Sequence, residues 1–241
     1  IPAASSWLRS AHQSVLQILP LNEIAPGESS PYSALSAMAI DPQFISLWML
    51  DGASIVEQVF ADELEIVRRS PSIDYRTVRS LKDRALKALF DRFFKTEWLP
   101  KTGKADVFRS YVLQESWWLD EYGLYRALRA ESGELPWTEW PEGVRDRDAF
   151  ALTQARTRLS KEILFHQYVQ WVAADQWQAV RRRAEGVEIL GDFPFMVTLD
   201  KDRELAGSLV EVANGAGVKT AALITDMNES LAAAAGNAVE V

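Results

Sequence analysis

The chain predicts an α/β protein in which helices are the majority, and three patterns carry that expectation. Residues 187–200 (VEILGDFPFMVTLD) form an apolar run broken by Gly191-Asp192 and closed by Asp200. That is the pattern of a buried parallel strand whose C-terminal end presents acids. Over residues 55–128 and 159–183 apolar side chains recur at helical spacing. The last forty residues read as a helix followed by a strand, so a strand-helix-strand crossover spans the end of the chain.

Taken in order, residues 6–13 read as the last turns of a helix. VLQIL (15–19) reads as a short buried strand that Pro20 terminates. A loop dense in Pro, Ser and Gly follows over residues 21–44, and residues 47–50 fit either helix or strand. Leu81, Leu86, Leu89, Phe90, Phe93 and Phe94 make one apolar stripe, and residues 111–128 make an aromatic-rich helical region. Pro136 and Pro141 predict a loop over residues 137–147. Residues 159–183 are apolar on more than one side, which predicts a long helix buried against several neighbours. Leu205, Leu209, Val212 and Ala213 share a helical face that Gly215 stops, residues 219–225 read as a strand, and Asn228 can cap a final Ala-rich helix.

Composition narrows the function classes. The net charge is -8 and no Lys/Arg stripe exists, so nucleic acid is not an expected partner. Arg181-Arg182-Arg183 reads as a solvated helix C-terminus favoured by the macrodipole. The absence of cysteine removes disulfides and thiolate metal sites. No apolar span of membrane length and no leader pattern is present, so no membrane partner is expected and the expected compartment is the cytoplasm. A chain opening on Ile1 reads as a processed or truncated terminus. The two histidines, His12 and His166, are too far apart for a metal motif, and His166 reads as a core residue on a crowded helix. No Gly-rich phosphate loop or nucleophile elbow occurs.

Four segments occur together: VLQILPL with SSPYSALSAMAIDPQFIS; SWWLDEYGLYRAL; LPWTEWPEGVRDRD leading to EILFHQYVQW; and VEILGDFPFMV. In this order they resemble the bacterial 4-alpha-glucanotransferases (amylomaltases, or disproportionating enzymes) over about residues 7–200. The resemblance implies part of a (β/α)8-barrel-type parallel sheet with a helical insertion over about residues 51–150. It also implies transfer of α-1,4-glucan segments between maltooligosaccharides without a cofactor or metal. Tyr32 and Ser30, in the loop after the first strand, and Asp200, at the end of the last, are then expected to contact glucan. Asp41-Pro42 reads as a turn or helix entry, and Asp192 as a structural hydrogen-bond acceptor. Trp117, Trp118, Trp137, Trp140 and Trp171 are expected to pack in the core or subdomain. Asp120 and Glu121 are adjacent on a helix and so point apart.

A retaining transfer needs two carboxyl groups about 5 Å apart. The family carries its catalytic acids after later strands, and no motif of that kind occurs here. Asp192 and Asp200 would stand about 26 Å apart on an extended strand. No catalytic residue is therefore assigned, and self-association through uncovered sheet edges is expected. Residues 201–241, with GAGVKTAALITDM and AGNAVEV, resemble a piece of thymidine phosphorylase, and read as an extra βα unit covering a sheet edge. Three function classes follow: a glucanotransferase-family chain without its own catalytic acids, a carbohydrate-binding module, and, third, a nucleoside phosphorylase fragment.

Overall fold

The computed structural model describes residues 2–194 apart from Pro26, Ser29, Glu185 and Phe193. The readings for Asp200 and for residues 201–241 lie outside the described residues. Helix α1 (Pro2–Ser10) ends in a turn where His12 takes a left-handed φ of 59°. Strand β1 (Val15–Gln17) follows, and pairs in parallel with β2 (Glu188–Leu190) in the register Val15↔Glu188, Leu16↔Ile189, Gln17↔Leu190. The parallel sheet implied by the resemblance is thus present between these two segments, but both strands are only three residues long.

Between the strands the chain is helical: α2 (Ala53–Val59), α3 (Ala61–Arg69), α4 (Tyr75–Phe93), α5 (Gly103–Gln114), α6 (Ser116–Glu131), α7 (Glu142–Arg145), α8 (Ala149–Arg158) and α9 (Ser160–Arg183). Asp74 starts α4 by accepting the amides of Arg76 and Thr77. A π-helical segment, Phe94–Trp98, continues it. The stripe expected from the sequence is the core: Leu81, Leu86, Leu89, Phe90 and Phe93 are buried with Phe108, Tyr168, Val169 and Val172, and Phe94 packs at the edge. Helices α6 and α9 lie close because Gly123 faces Ile163; a Cβ there would stand 3.1 Å from the Ile163 Cγ2. Gly52, at a φ of 92°, opens α2 where a Cβ would meet Arg92 Cδ at 3.0 Å. Among the described residues, no helix is long and apolar enough to cross a membrane.

Several expectations need correction. The two strands are not buried: Val15 is 49% exposed and Leu190 is 54% exposed. A strand is covered on both faces only where layers flank both, and the described residues supply a two-stranded pair. The region 137–147 is not a plain loop, since it holds a 3-10 turn, Trp137–Glu139, as well as α7. Pro136 and Pro141 stand immediately before these turns, where a missing N–H costs nothing, so they start helix rather than break it. Residues 47–49 form a 3-10 turn. The tryptophans divide: Trp140 is buried and Trp171 packs on the core, whereas Trp117 is 68% exposed and Trp137 is exposed.

His166 is buried on α9, and its Nε2 has no hydrogen-bond partner. Burial holds its pKa well below the usual value of 6.5, and the Arg126 and Lys87 charges add to the effect. The unfolded chain therefore binds this proton at a higher pH than the folded chain. Stability from this residue is complete above about pH 6.5 and falls as the pH drops, by up to about 1.4 kcal/mol per unit. Glu23, whose carboxyl is raised by burial, acts with the opposite sign: its contribution is lost as pH rises through its folded pKa. Urea unfolding at pH 7.5 and 5.5 should show a smaller acid loss in His166→Phe than in the parent; equal losses would contradict the assignment.

Candidate functional site

The loop that follows β1 is built from its base upward. Pro20 ends the strand segment, and the chain then folds back on itself through two antiparallel bridges, Asn22↔Ile40 and Ile24↔Ala34. Asn22 Nδ2 donates to the carbonyls of Ser36 and Ala37 at 3.1 and 2.8 Å. Asp41, fully buried, caps the 3-10 turn Pro42–Phe44 by accepting the Gln43 amide at 2.9 Å. It also accepts the Ile24 amide at 3.2 Å and the Arg79 guanidinium at 2.7 Å. The expected helix-entry role of Asp41 is present, and the ion pair to α4 is added to it.

Two glutamines on α9 take the place of strand partners. Gln170 accepts from the Ile40 amide and donates to the Ile40 carbonyl, both at 2.9 Å. Gln176 does the same at Ser46, at 2.8 and 2.9 Å. Each side-chain amide meets both polar groups of one residue, which satisfies a buried loop backbone without a sheet. Lys82 adds donations to the carbonyls of Gln43 and Ile45 at 2.5 and 2.8 Å.

The tip of this loop carries Tyr32. Ser30 closes a turn under it: the Ser30 carbonyl accepts the Ser33 amide at 3.2 Å, and its hydroxyl accepts the Tyr32 amide at 3.3 Å. The Tyr32 hydroxyl donates to Asp192 Oδ2 at 2.8 Å. Asp192 stands two residues past the end of β2. The site thus joins the segments that follow the C-terminal ends of both parallel strands, where barrel folds place their chemistry. Tyr32, Ser30 and Asp192 come together; Asp200 lies outside the described residues. Asp192 accepts a hydrogen bond, as expected, but from the candidate substrate residue itself.

Below the tip lies a buried charge network. Glu23 accepts the Tyr122 hydroxyl at 2.5 Å and faces Arg126 Nε at 3.2 Å. Arg126 reaches Glu134 at 3.3 Å, and Arg129 reaches the same carboxylate at 2.8 Å. Burial raises the Glu23 carboxyl above its usual range, with Arg126 pulling it back, and burial together with Glu23 raises the Tyr122 hydroxyl well above its usual value. A separate groove of about 310 Å³ runs along α6, lined by Leu35, Met38, Trp118, Tyr125 and Trp140. Asp120 and Glu121 diverge as expected: Asp120 accepts from Gln167, and Glu121 pairs with Arg147 and Arg156.

Glu23, Arg79, Arg126, Gln170 and Gln176 were not singled out from the sequence. The available signal was three glutamines, at 167, 170 and 176, on a helix apolar on most sides. Chemically, Tyr32 and Asp192 offer an aromatic face, a phenol and one carboxylate. Such groups suit the apolar face and hydroxyl edge of a ring, whereas a retaining transfer requires a second carboxyl about 5 Å away.

Comparison with known proteins identifies the family of the chain. A family model described as 4-alpha-glucanotransferase matches residues 3–201. The 4-alpha-glucanotransferase of Thermus thermophilus is 34% identical over 196 residues, which are 80% of this chain and 37% of that protein. The Synechocystis enzyme of the same name is 32% identical over 196 residues, 80% of this chain and 38% of its own. Among solved structures, an amylomaltase from Streptococcus agalactiae in complex with acarbose superposes with a TM-score of 0.69 at 25% identity. That match covers 82% of this chain and 39% of the other. The chain therefore spans under two fifths of the length of these relatives. The amylomaltase likeness sets the short parallel pair and its helices within a TIM-barrel-type fold. With the match running from α1 through β2 and across the whole Tyr32 loop, the chain belongs to the 4-alpha-glucanotransferase family.

Proposed function

We propose that residues 1–200 are the glucan-recognising part of a 4-alpha-glucanotransferase, a partial barrel with its helical insertion, and that the 241 residues do not carry the catalytic carboxylates of transfer. The observation that carries this reading is the Tyr32–Asp192 hydrogen bond, which ties a loop after β1 to the end of β2 at 2.8 Å. A pyranose ring has apolar faces and hydroxyl edges, which suit an aromatic ring beside a carboxylate. Family membership supports an α-1,4-glucan or maltooligosaccharide as the ligand, contacted by Tyr32, Ser30 and Asp200, in a cytoplasmic setting. Residues 201–241 are then a joined segment similar to thymidine phosphorylase. Its support is the GAGVKTAALITDM and AGNAVEV runs and a family match that stops at residue 201.

Removing the nucleophile alone costs an enzyme many orders of magnitude in rate. The purified chain incubated with maltotriose is therefore expected to release no glucose and form no longer glucan, as read by chromatography. Disproportionation products that vanish on Asp200→Asn would overturn this reading. Thymidine phosphorolysis in the same preparation would favour the nucleoside class instead. The exposed Trp7, Val15, Leu19 and Leu190 further support self-association through uncovered sheet edges and apolar surface, which sedimentation velocity reads as a species heavier than the monomer.

A further inference from the structure

Glu23 is 3% exposed, yet it carries a carboxyl group into the interior. A buried ion pair contributes little net stability, and a well-packed apolar substitute of the same volume is often as good. Its geometry, by contrast, is specific, and here that geometry converges on one peptide. The Glu23 side chain is fixed from α6 by Tyr122, at 2.5 Å, and by Arg126, at 3.2 Å. Tyr122 is in turn held from α9 by Gln170 at 3.3 Å. The Glu23 backbone uses both of its polar groups on the far side of the loop: its N–H donates to the Ala39 carbonyl at 2.9 Å, and its carbonyl accepts the Leu35 amide at 2.7 Å. The next residue, Ile24, bridges to Ala34, two positions after Tyr32. The backbone of Glu23 thus ties the departing and returning limbs of the loop at the level of residues 23, 35 and 39, and its side chain anchors that junction to α6.

We propose that Glu23, held by Tyr122 and Arg126, is a positioning residue that sets where the Tyr32 ring and hydroxyl stand. The proposal rests on the reading of Tyr32 as a glucan contact. Arg126 matters through Glu23: it neutralises the carboxylate and is itself steadied by Glu134 at 3.3 Å. The loop is consequently rigid at its base, and the short turn at Ser30–Ser33 is the part that meets ligand.

The test compares Glu23→Ala, Glu23→Gln and Tyr122→Phe in the full 241-residue chain. Hydrogen exchange of peptides covering residues 27–37 and 160–183 is followed by mass spectrometry, and maltoheptaose binding by calorimetry. Glu23→Ala is expected to speed exchange over 27–37 about tenfold while 160–183 keeps its rate, and to weaken maltoheptaose binding about tenfold. Glu23→Gln, which still accepts the Tyr122 hydroxyl, should recover part of both effects. Tyr122→Phe removes one hydroxyl and keeps the ring, so it reads the same loop if Glu23→Ala does not fold. Exchange and affinity equal to the parent in the folded variants, even with a lower melting temperature, would overturn the proposal. A parent chain that binds no maltoheptaose would remove the glucan reading, and the exchange data would still decide whether Glu23 fixes the loop.

Discussion

Phe90→Ala is expected to lower the unfolding free energy by about 3–5 kcal/mol, the range for truncating a buried phenylalanine. Phe90 has no exposed surface, and its ring stands 5.4 Å from that of Phe165, 5.5 Å from Tyr168 and 5.9 Å from Phe94. Phe90 lies on α4 and these neighbours come from the π-helical segment after it and from α9, so the cavity would open where three parts of the chain meet. Each neighbour is itself packed: Tyr168 lies 4.9 Å from Phe93, and Phe93 lies 5.5 Å from Phe108. Collapse into the void is therefore restricted, which places the cost toward the upper end. Urea denaturation measures it, and a loss under about 1.5 kcal/mol would mean that the core repacks freely.

Asp41→Ala is expected to cost a similar amount, about 3–5 kcal/mol, for a different reason. The mutation removes the acceptor of two backbone amides and leaves Arg79, only 18% exposed in its side chain, without its 2.7 Å partner. An uncompensated buried charge is the larger part of that penalty. Arg79→Met in the Asp41→Ala background should therefore recover part of the loss rather than add to it. Simple additivity of the two single variants would show that the pair is not coupled.

The helical core was legible because burial and period coincide. Leu81, Leu86, Leu89, Phe90 and Phe93 share one face of a long helix, whose start at Asp74 was not singled out. The two segments were legible as parallel strands of one barrel-type sheet through the apolar runs at 15–19 and from 187, although the ladder holds only Val15–Gln17 and Glu188–Leu190. Their burial was misread, because an apolar run in sequence cannot say how many layers cover a sheet. The prolines at 136 and 141 were misread because a proline stops a helix in the interior but starts one at its first turn. At the candidate site, Tyr32 and Ser30 were named through the resemblance, whereas Glu23, Gln170 and Gln176 were not singled out. Buried polar residues that satisfy a loop backbone carry no periodic signal; their partners at Ile40 and Ser46 are 130 residues away. The role of Asp192 as an acceptor was read, but its donor, 160 residues distant, was not.

Calorimetric titration of the purified chain and of Tyr32→Ala with maltoheptaose bears most directly on the claim that the Tyr32–Asp192 pair is a glucan site. One aromatic face with a few hydroxyl contacts corresponds to a Kd on the order of 1 mM for the parent chain. Removal of the ring should weaken binding by about fivefold or more, while Tyr32→Phe, which keeps the face, should lose less. A parent chain that gives no binding heat, or a Tyr32→Ala variant that melts and binds like the parent, would contradict the account.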